Sequence, residues 1–228
     1  MPAEKITHEK IIHAVLDCAF IKSVGGTSLA DIAGKLGIKK ASLYNHYESR
    51  EAMLDDTVHF CGEYLKKTAL IPSEMAATAQ KYTAEAVLKG IVHRWIKINE
   101  KEPLLQIYSF IESEKYFSPE AAAISKESRV KILNQTIIAL NSLIEAKKIS
   151  PATKKAVSVH AEIFTNMLFS LLDKYIVEKK NYIRSNPQSG DGELFSALPF
   201  EPDFTRIDPL LEEFCKRFFF RVFIVKKS

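Results

Sequence analysis

The sequence predicts an all-α fold: an N-terminal three-helix helix-turn-helix domain joined to a C-terminal helical bundle, about nine helices in all. Three observations predict it. Apolar residues recur every three to four positions along most of the chain, the period of a helix with one buried face. Only 8 glycines and 9 prolines occur in 228 residues, which leaves room for long unbroken helices. No segment alternates polar and apolar in the manner of a half-buried strand.

The elements follow in order. Residues 6–24 place Ile11, Ile12, Val15, Leu16, Ala19 and Phe20 on one helical face, and Gly25-Gly26 supplies a stop that tolerates a left-handed cap. Ser28-Leu29-Ala30-Asp31 reads as a capping box, in which each side chain satisfies an orphan N–H of the other residue's backbone. A short helix follows and Gly37 ends it. A third helix is expected over about 39–46, packing through Leu43 with Tyr47 four residues on. Ser49 caps a fourth, over about 50–70. Past the break at Pro72, one long helix is expected over 75–101, a shorter one over 103–116, and another from Pro119 to about 148. Pro151 opens the next, which runs to about 182. Its Val157, Ala161, Phe164, Leu168, Leu171 and Tyr175 are spaced 4-3-4-3-4, the stripe of a helix packed lengthwise. Residues 184–206 carry three prolines and two glycines and read as a loop of unusual length. The last helix, about 207–225, is so rich in phenylalanine that burial nearly all round is expected.

Bulk composition narrows the function classes. With 46% hydrophobic and 26% charged residues the chain can bury a core without staples. A net charge of +4 permits a nucleic-acid partner without demonstrating one. Cys18, Cys61 and Cys215 are far apart, lack metal-ligand spacing and are expected as reduced, buried thiols. No metal or other cofactor is expected. The N-terminus lacks the apolar stretch of a signal peptide and no run is long enough to span a bilayer, so no membrane partner and a bacterial cytoplasmic location are expected. The zinc-protease, hydrolase-elbow and phosphate-loop motifs are all missing, so catalysis is not expected.

The chemistry lies in residues 28–47. A short helix, a glycine turn and a second short helix make the helix-turn-helix arrangement, whose second helix enters the DNA major groove. Opposite Leu43 and Tyr47, the second helix shows Lys39, Lys40, Ser42, Tyr44, Asn45 and His46. Every one can donate a hydrogen bond and none is acidic, which suits a groove walled by phosphates.

Thr27-Ser28-Leu29-Ala30-Asp31-Ile32-Ala33, the Gly37-Ile38 turn and Ala41-Ser42-Leu43-Tyr44-Asn45-His46-Tyr47 resemble the DNA-binding domain of TetR-type repressors. The resemblance covers about residues 8–55. Three positions depart from the usual pattern: Lys39 where serine is common, Ala41 where glycine is, and Tyr47 where phenylalanine is. It implies a domain over 1–50 that grips double-stranded DNA, and a domain over 51–228 that binds a small-molecule effector and forms a homodimer. It implies phosphate contacts from Ser28, Tyr44, His46 and Arg50, and places Lys40, Ala41 and Ser42 toward base edges. Lysine there can bond guanine O6 and N7.

For the effector, the polar candidates on otherwise apolar helices are His93, Asn99, Tyr108, Glu112, His160 and Asn166, with Trp95 and Phe110 as aromatic walls. For the dimer, the striped and phenylalanine-rich helices are expected to pair with their copies through Phe164, Leu168, Leu171, Phe214 and Phe218. The expected function is a ligand-responsive regulator of transcription, a repressor by family habit, on a palindromic operator.

Overall fold

The computed structural model describes residues 5–150, 153–185 and 200–218, and within them all regular structure is helical. Ten helices are described: α1 His8–Lys22, α2 Leu29–Lys35, α3 Lys40–Leu43, α4 Arg50–Lys67, α5 Met75–Lys81, α6 Ala84–Asn99, α7 Leu104–Glu114, α8 Pro119–Glu145, α9 Lys154–Ser185 and α10 Phe204–Phe218. The chain divides into two compact units. Among the described residues the first holds α1 to α4, α7 and the start of α8; the second holds α5, α6, the rest of α8, most of α9, and α10.

Capping explains most boundaries. Thr7 accepts from the Lys10 N–H, Ser49 from Ala52 and Ser118 from Ala121, each satisfying a donor that the first helical turn leaves orphaned. Two expected boundaries are corrected. The segment 75–101 is two helices, because Tyr82 is extended and the Thr83 hydroxyl accepts from the Ala86 N–H to start α6 anew. The last helix begins at Phe204 rather than 207, because the Asp203 carboxylate accepts from both the N–H and the hydroxyl of Thr205. The expectation about Pro151 lies outside the described residues. α9 opens with Thr153 accepting from Ala156.

The stop after α1 is also corrected. The positive-φ residue is Ser23 (φ 70°), whose N–H bonds the Ala19 carbonyl at 2.9 Å. Gly26 is needed for a different reason: a Cβ there would stand 2.3 Å from the Lys22 carbonyl oxygen. Gly37 does take a left-handed φ of 66°, as the turn between α2 and α3 demands.

The first unit's core gathers Ile11, Val15, Ile32, Leu43, Met53, Ile107 and Ile111, all at most 2% exposed. α7 contributes to this core and packs along α1. In the second unit the stripe on α9 is covered by the chain's own helices. Trp95 of α6 donates its indole N–H to the Leu168 carbonyl at 2.9 Å, and Phe214 of α10 lies against Phe164 with ring centroids 5.8 Å apart.

Phe164 and Leu168 are thereby fully buried within one chain. They are core residues and not a face for a second copy. The periodicity identified a buried stripe, but the residues that bury it belong to the same subunit. Leu171 is half-buried at a cavity in this unit, Phe214 is half-buried against Phe164, and the side chain of Phe218 lies outside the described residues. The last helix is expected to be buried nearly all round, within the subunit or against a second one; within the single chain Leu211 and Cys215 are buried while Leu210 is 61% exposed.

Candidate nucleic-acid interface

The helix-turn-helix is assembled from local bonds upward. The Ser28 hydroxyl accepts from the Asp31 N–H at 3.2 Å, and the Asp31 carboxylate accepts from the Ser28 N–H at 2.9 Å, completing the capping box. Lys22, at the end of α1, adds a 2.6 Å ion pair to Asp31. That lysine first, and then the Ser28 N–H and hydroxyl, hold the Asp31 carboxyl down at about 2. A carboxyl whose folded pKa is depressed contributes stability above its unfolded pKa and loses it as pH falls through the folded value. Stability should therefore fall between about pH 4 and pH 2, and Asp31→Asn should flatten that limb in acid-unfolding curves. Ser28→Ala removes the cap and should cost about 1 kcal/mol by urea denaturation.

α2 ends in a tight turn. The Gly37 N–H bonds the Gly34 carbonyl at 3.1 Å and the Ile38 N–H bonds that of Ala33 at 3.0 Å. α3 itself is short, four residues rather than the expected eight. The coil continues through His46 by i→i+3 bonds, Tyr44 to Ala41, Asn45 to Ser42 and His46 to Leu43. Its tightening reflects two anchors. Leu43 is 1% exposed in the core, and Tyr47 is buried with its hydroxyl donated to the Asp56 carboxylate at 2.5 Å. Burial and that carboxylate push the Tyr47 hydroxyl well above the ordinary tyrosine range.

With these two side chains inward, the opposite face is open. Lys39, Lys40, Tyr44 and Asn45 are exposed, while Ser42 and His46 are half-buried. The donors expected from the sequence thus share one surface, with no carboxylate between residues 39 and 47.

Two other expected contacts are engaged within the protein. The Ser28 hydroxyl also donates to Asp31 at 2.8 Å, so it serves the cap. A terminal guanidinium nitrogen of Arg50 donates to the Val24 carbonyl at 2.7 Å and to that of Thr27 at 3.3 Å, tying the start of α4 to the turn between α1 and α2. Sequence reasoning missed the Tyr47–Asp56 bond and a ring cluster beside it: His8 stacks on Tyr47 at 4.7 Å and meets His46 edge-on at 5.8 Å. Nothing in local periodicity signals either, since the partners lie on separate elements.

The six effector candidates are divided between the two units. Asn99, Tyr108 and Glu112 belong to the first unit, where Asn99 and Tyr108 are buried and Glu112 accepts from Ser125 and pairs with Lys115. His93, His160 and Asn166 belong to the second. His93 contacts Asp208 at 2.8 Å, and Asn166 is exposed on α9. A cavity of about 210 Å³ in the second unit is lined by other residues, among them Ile96, Leu171, Lys174, Tyr175 and Arg206. Among the described residues no group of three or more His, Cys, Asp or Glu side chains could hold a metal ion, and no helix is long and apolar enough to cross a membrane.

Comparison with known proteins bears on the same segment. Residues 11–57 match the pattern of the bacterial regulatory proteins, tetR family. The biofilm operon icaADBC HTH-type negative transcriptional regulator IcaR of Staphylococcus aureus (strain Newman) is 26% identical over 129 residues, 57% of this chain and 64% of that protein. IcaR of Staphylococcus epidermidis is 39% identical over 56 residues, 25% of this chain and 30% of its own. The chain therefore spans less than two thirds of the length of these relatives. Among solved structures, a TetR transcription regulator from Haloarcula marismortui superposes with a TM-score of 0.54 at 12% identity, covering 93% of this chain and 97% of that one. The TetR family regulator PfmR from Thermus thermophilus gives 0.52 at 15% identity, covering 91% and 96%. These two establish likeness of fold. The helix-turn-helix geometry and the matched segment lead to one conclusion: residues 11–57 are similar to the bacterial regulatory proteins, tetR family.

Proposed function

We propose that the chain is a homodimeric, ligand-responsive repressor of transcription that binds an inverted-repeat operator. The observation that carries this reading is the surface of residues 39–46: donor-rich, without carboxylates, and held outward by Leu43 and Tyr47. Residues 1–50 are read as the DNA-gripping part and 51–228 as the effector-binding and dimerising part, acting in the bacterial cytoplasm. The S. aureus relative is named as a negative regulator, which favours repression over activation.

The dimer reading moves to the side of α9 opposite Phe164. Val159, Ile163, Asn166, Ser170, Asp173 and Val177 are exposed there at 4-3-4-3-4 spacing. Such a seam can pack against a twofold copy. The pair must hold its recognition segments about 34–36 Å apart to enter successive major grooves. An effector acts by favouring one of two spacings, and only through its differential affinity for them. The 210 Å³ cavity is an alternative to the six residues named from sequence as the place for it.

The test is selection of bound duplexes from a random pool by the full chain. An inverted repeat supports motif, dimer and orientation together; no enrichment, or a single unrepeated half-site, overturns the reading. On the selected duplex, Tyr44→Phe or His46→Ala should weaken binding about fivefold for all sequences alike, the value of about one phosphate hydrogen bond. Lys40→Ala should instead relax preference at one base pair by about 1–3 kcal/mol, measured by competition between duplexes differing at that position.

A further inference from the structure

We propose that the cavity between α9 and the start of α10 binds a zwitterionic α-amino acid with a branched apolar side chain, leucine or a close relative. The inference gives a chemical class to the effector in the reading above. It rests on that reading only for the consequence at DNA.

Three helices of the second unit build the site. Leu171, Lys174, Tyr175 and Glu178 line it from α9, at the i, i+3, i+4, i+7 spacing of a single helical face. Ile96, fully buried, lines it from α6. Asp203, Arg206 and Ile207 line it from the start of α10. Contacts outside the cavity fix this last wall against α6. Asp208 lies 2.8 Å from His93 Nε2, and Glu212 accepts from Lys89 Nζ at 2.8 Å. The Phe204 ring lies on the His93 ring with centroids 3.9 Å apart. The walls thus stand in place before a ligand enters, which lowers the ordering cost of binding.

The chemistry of the walls selects the ligand. Ile96, Leu171 and Ile207 are apolar, and Tyr175 adds a ring whose hydroxyl is already engaged by Lys179 Nζ at 3.2 Å. The volume of about 210 Å³ equals about seven water molecules at about 30 Å³ each. That admits a small branched side chain and excludes a polycyclic body. Of the four charged groups, two serve each other. Arg206 Nε lies 3.5 Å from one Asp203 oxygen, and the other oxygen accepts from Thr205. The remaining two, Lys174 and Glu178, are exposed at the rim. They stand one turn apart with the lysine N-terminal, the poorer order for pairing with each other. Neither enters an ion pair or hydrogen bond with a described residue. One cation and one anion above an apolar pocket match a ligand that carries both charges on one carbon. Its carboxylate meets Lys174, its ammonium meets Glu178, and its side chain goes below. A simple anion would meet Glu178 as a like charge, and a simple cation would meet Lys174 so.

The experiment is calorimetry on the full chain at neutral pH with three probes: L-leucine, isocaproate, which lacks the ammonium, and isoamylamine, which lacks the carboxylate. Leucine is expected to bind with a Kd at or below about 1 mM, and each analogue about fivefold more weakly. Lys174→Gln should weaken leucine about fivefold and leave isoamylamine unchanged; Glu178→Gln should weaken leucine as much and leave isocaproate unchanged. Lys155→Gln, exposed near the other end of α9, should change none of the three. An analogue that binds as tightly as leucine, a variant that weakens all three probes alike, or no saturable binding of leucine in the millimolar range overturns the site. Duplex affinity is then measured with and without saturating leucine. A change supports the site as the effector's; an unchanged affinity overturns the ligand-responsive reading through this cavity and leaves amino-acid binding standing.

Discussion

A Phe164→Ala variant should lose about 3–5 kcal/mol of stability, the cost of emptying a fully enclosed aromatic site. Phe164 is 0% exposed, and Phe214 of α10 packs directly against it. Truncation removes contacts on both α9 and α10 and leaves a cavity that neighbouring side chains fill only in part. The check is urea denaturation of wild type and variant at matched protein concentrations. Ile163→Glu, on the opposite side of α9, should do the converse and break self-association while leaving the fold of each chain in place, as read by ultracentrifugation and circular dichroism. If Phe164→Ala instead weakened association and spared the stability of the single chain, the assignment of the two sides of α9 would be reversed.

Leu43→Ala should abolish duplex binding at concentrations where the wild type is saturated. Leu43 is the only buried side chain of the four-residue α3, so the recognition segment depends on it and on Tyr47 for its position. Removing a buried leucine costs about 2–5 kcal/mol, and each 1.4 kcal/mol spent on reordering the segment weakens binding about tenfold. Leu43→Met conserves volume, should cost under about 1.5 kcal/mol, and should retain binding. Retained binding by Leu43→Ala would mean that the duplex does not meet this segment.

Local chemistry was legible in the sequence where donor and acceptor lie within one helical turn. The Ser28–Asp31 box and the Ser49 cap needed nothing beyond residue type and spacing. The two sides of the recognition segment were legible too, since Leu43 and Tyr47 are four residues apart and the polar residues fill the rest. What stayed hidden depends on partners remote in sequence. Arg50 spends hydrogen bonds on carbonyls 26 and 23 residues away. The stripe of α9 told that Phe164 is covered but not by which molecule. The break at Tyr82 was missed because an apolar pattern can run across a gap of two residues. Thr83, a capping residue ahead of Ala84 and Glu85, was the available signal.

The bond from Tyr47 to Asp56 and the strut from Arg50 to the first interhelical turn have a mechanical consequence. They rivet the recognition segment and the first helices to α4, so a torque applied along α4 reaches them without backlash. α4 has 18 residues and thus a lever arm of about 27 Å, over which a tilt of about 5° sweeps its far end through roughly 2 Å. On the proposed function, a small push at one end of that rod would re-aim the segment meant for DNA, and neither contact would have to break for the grip to be lost.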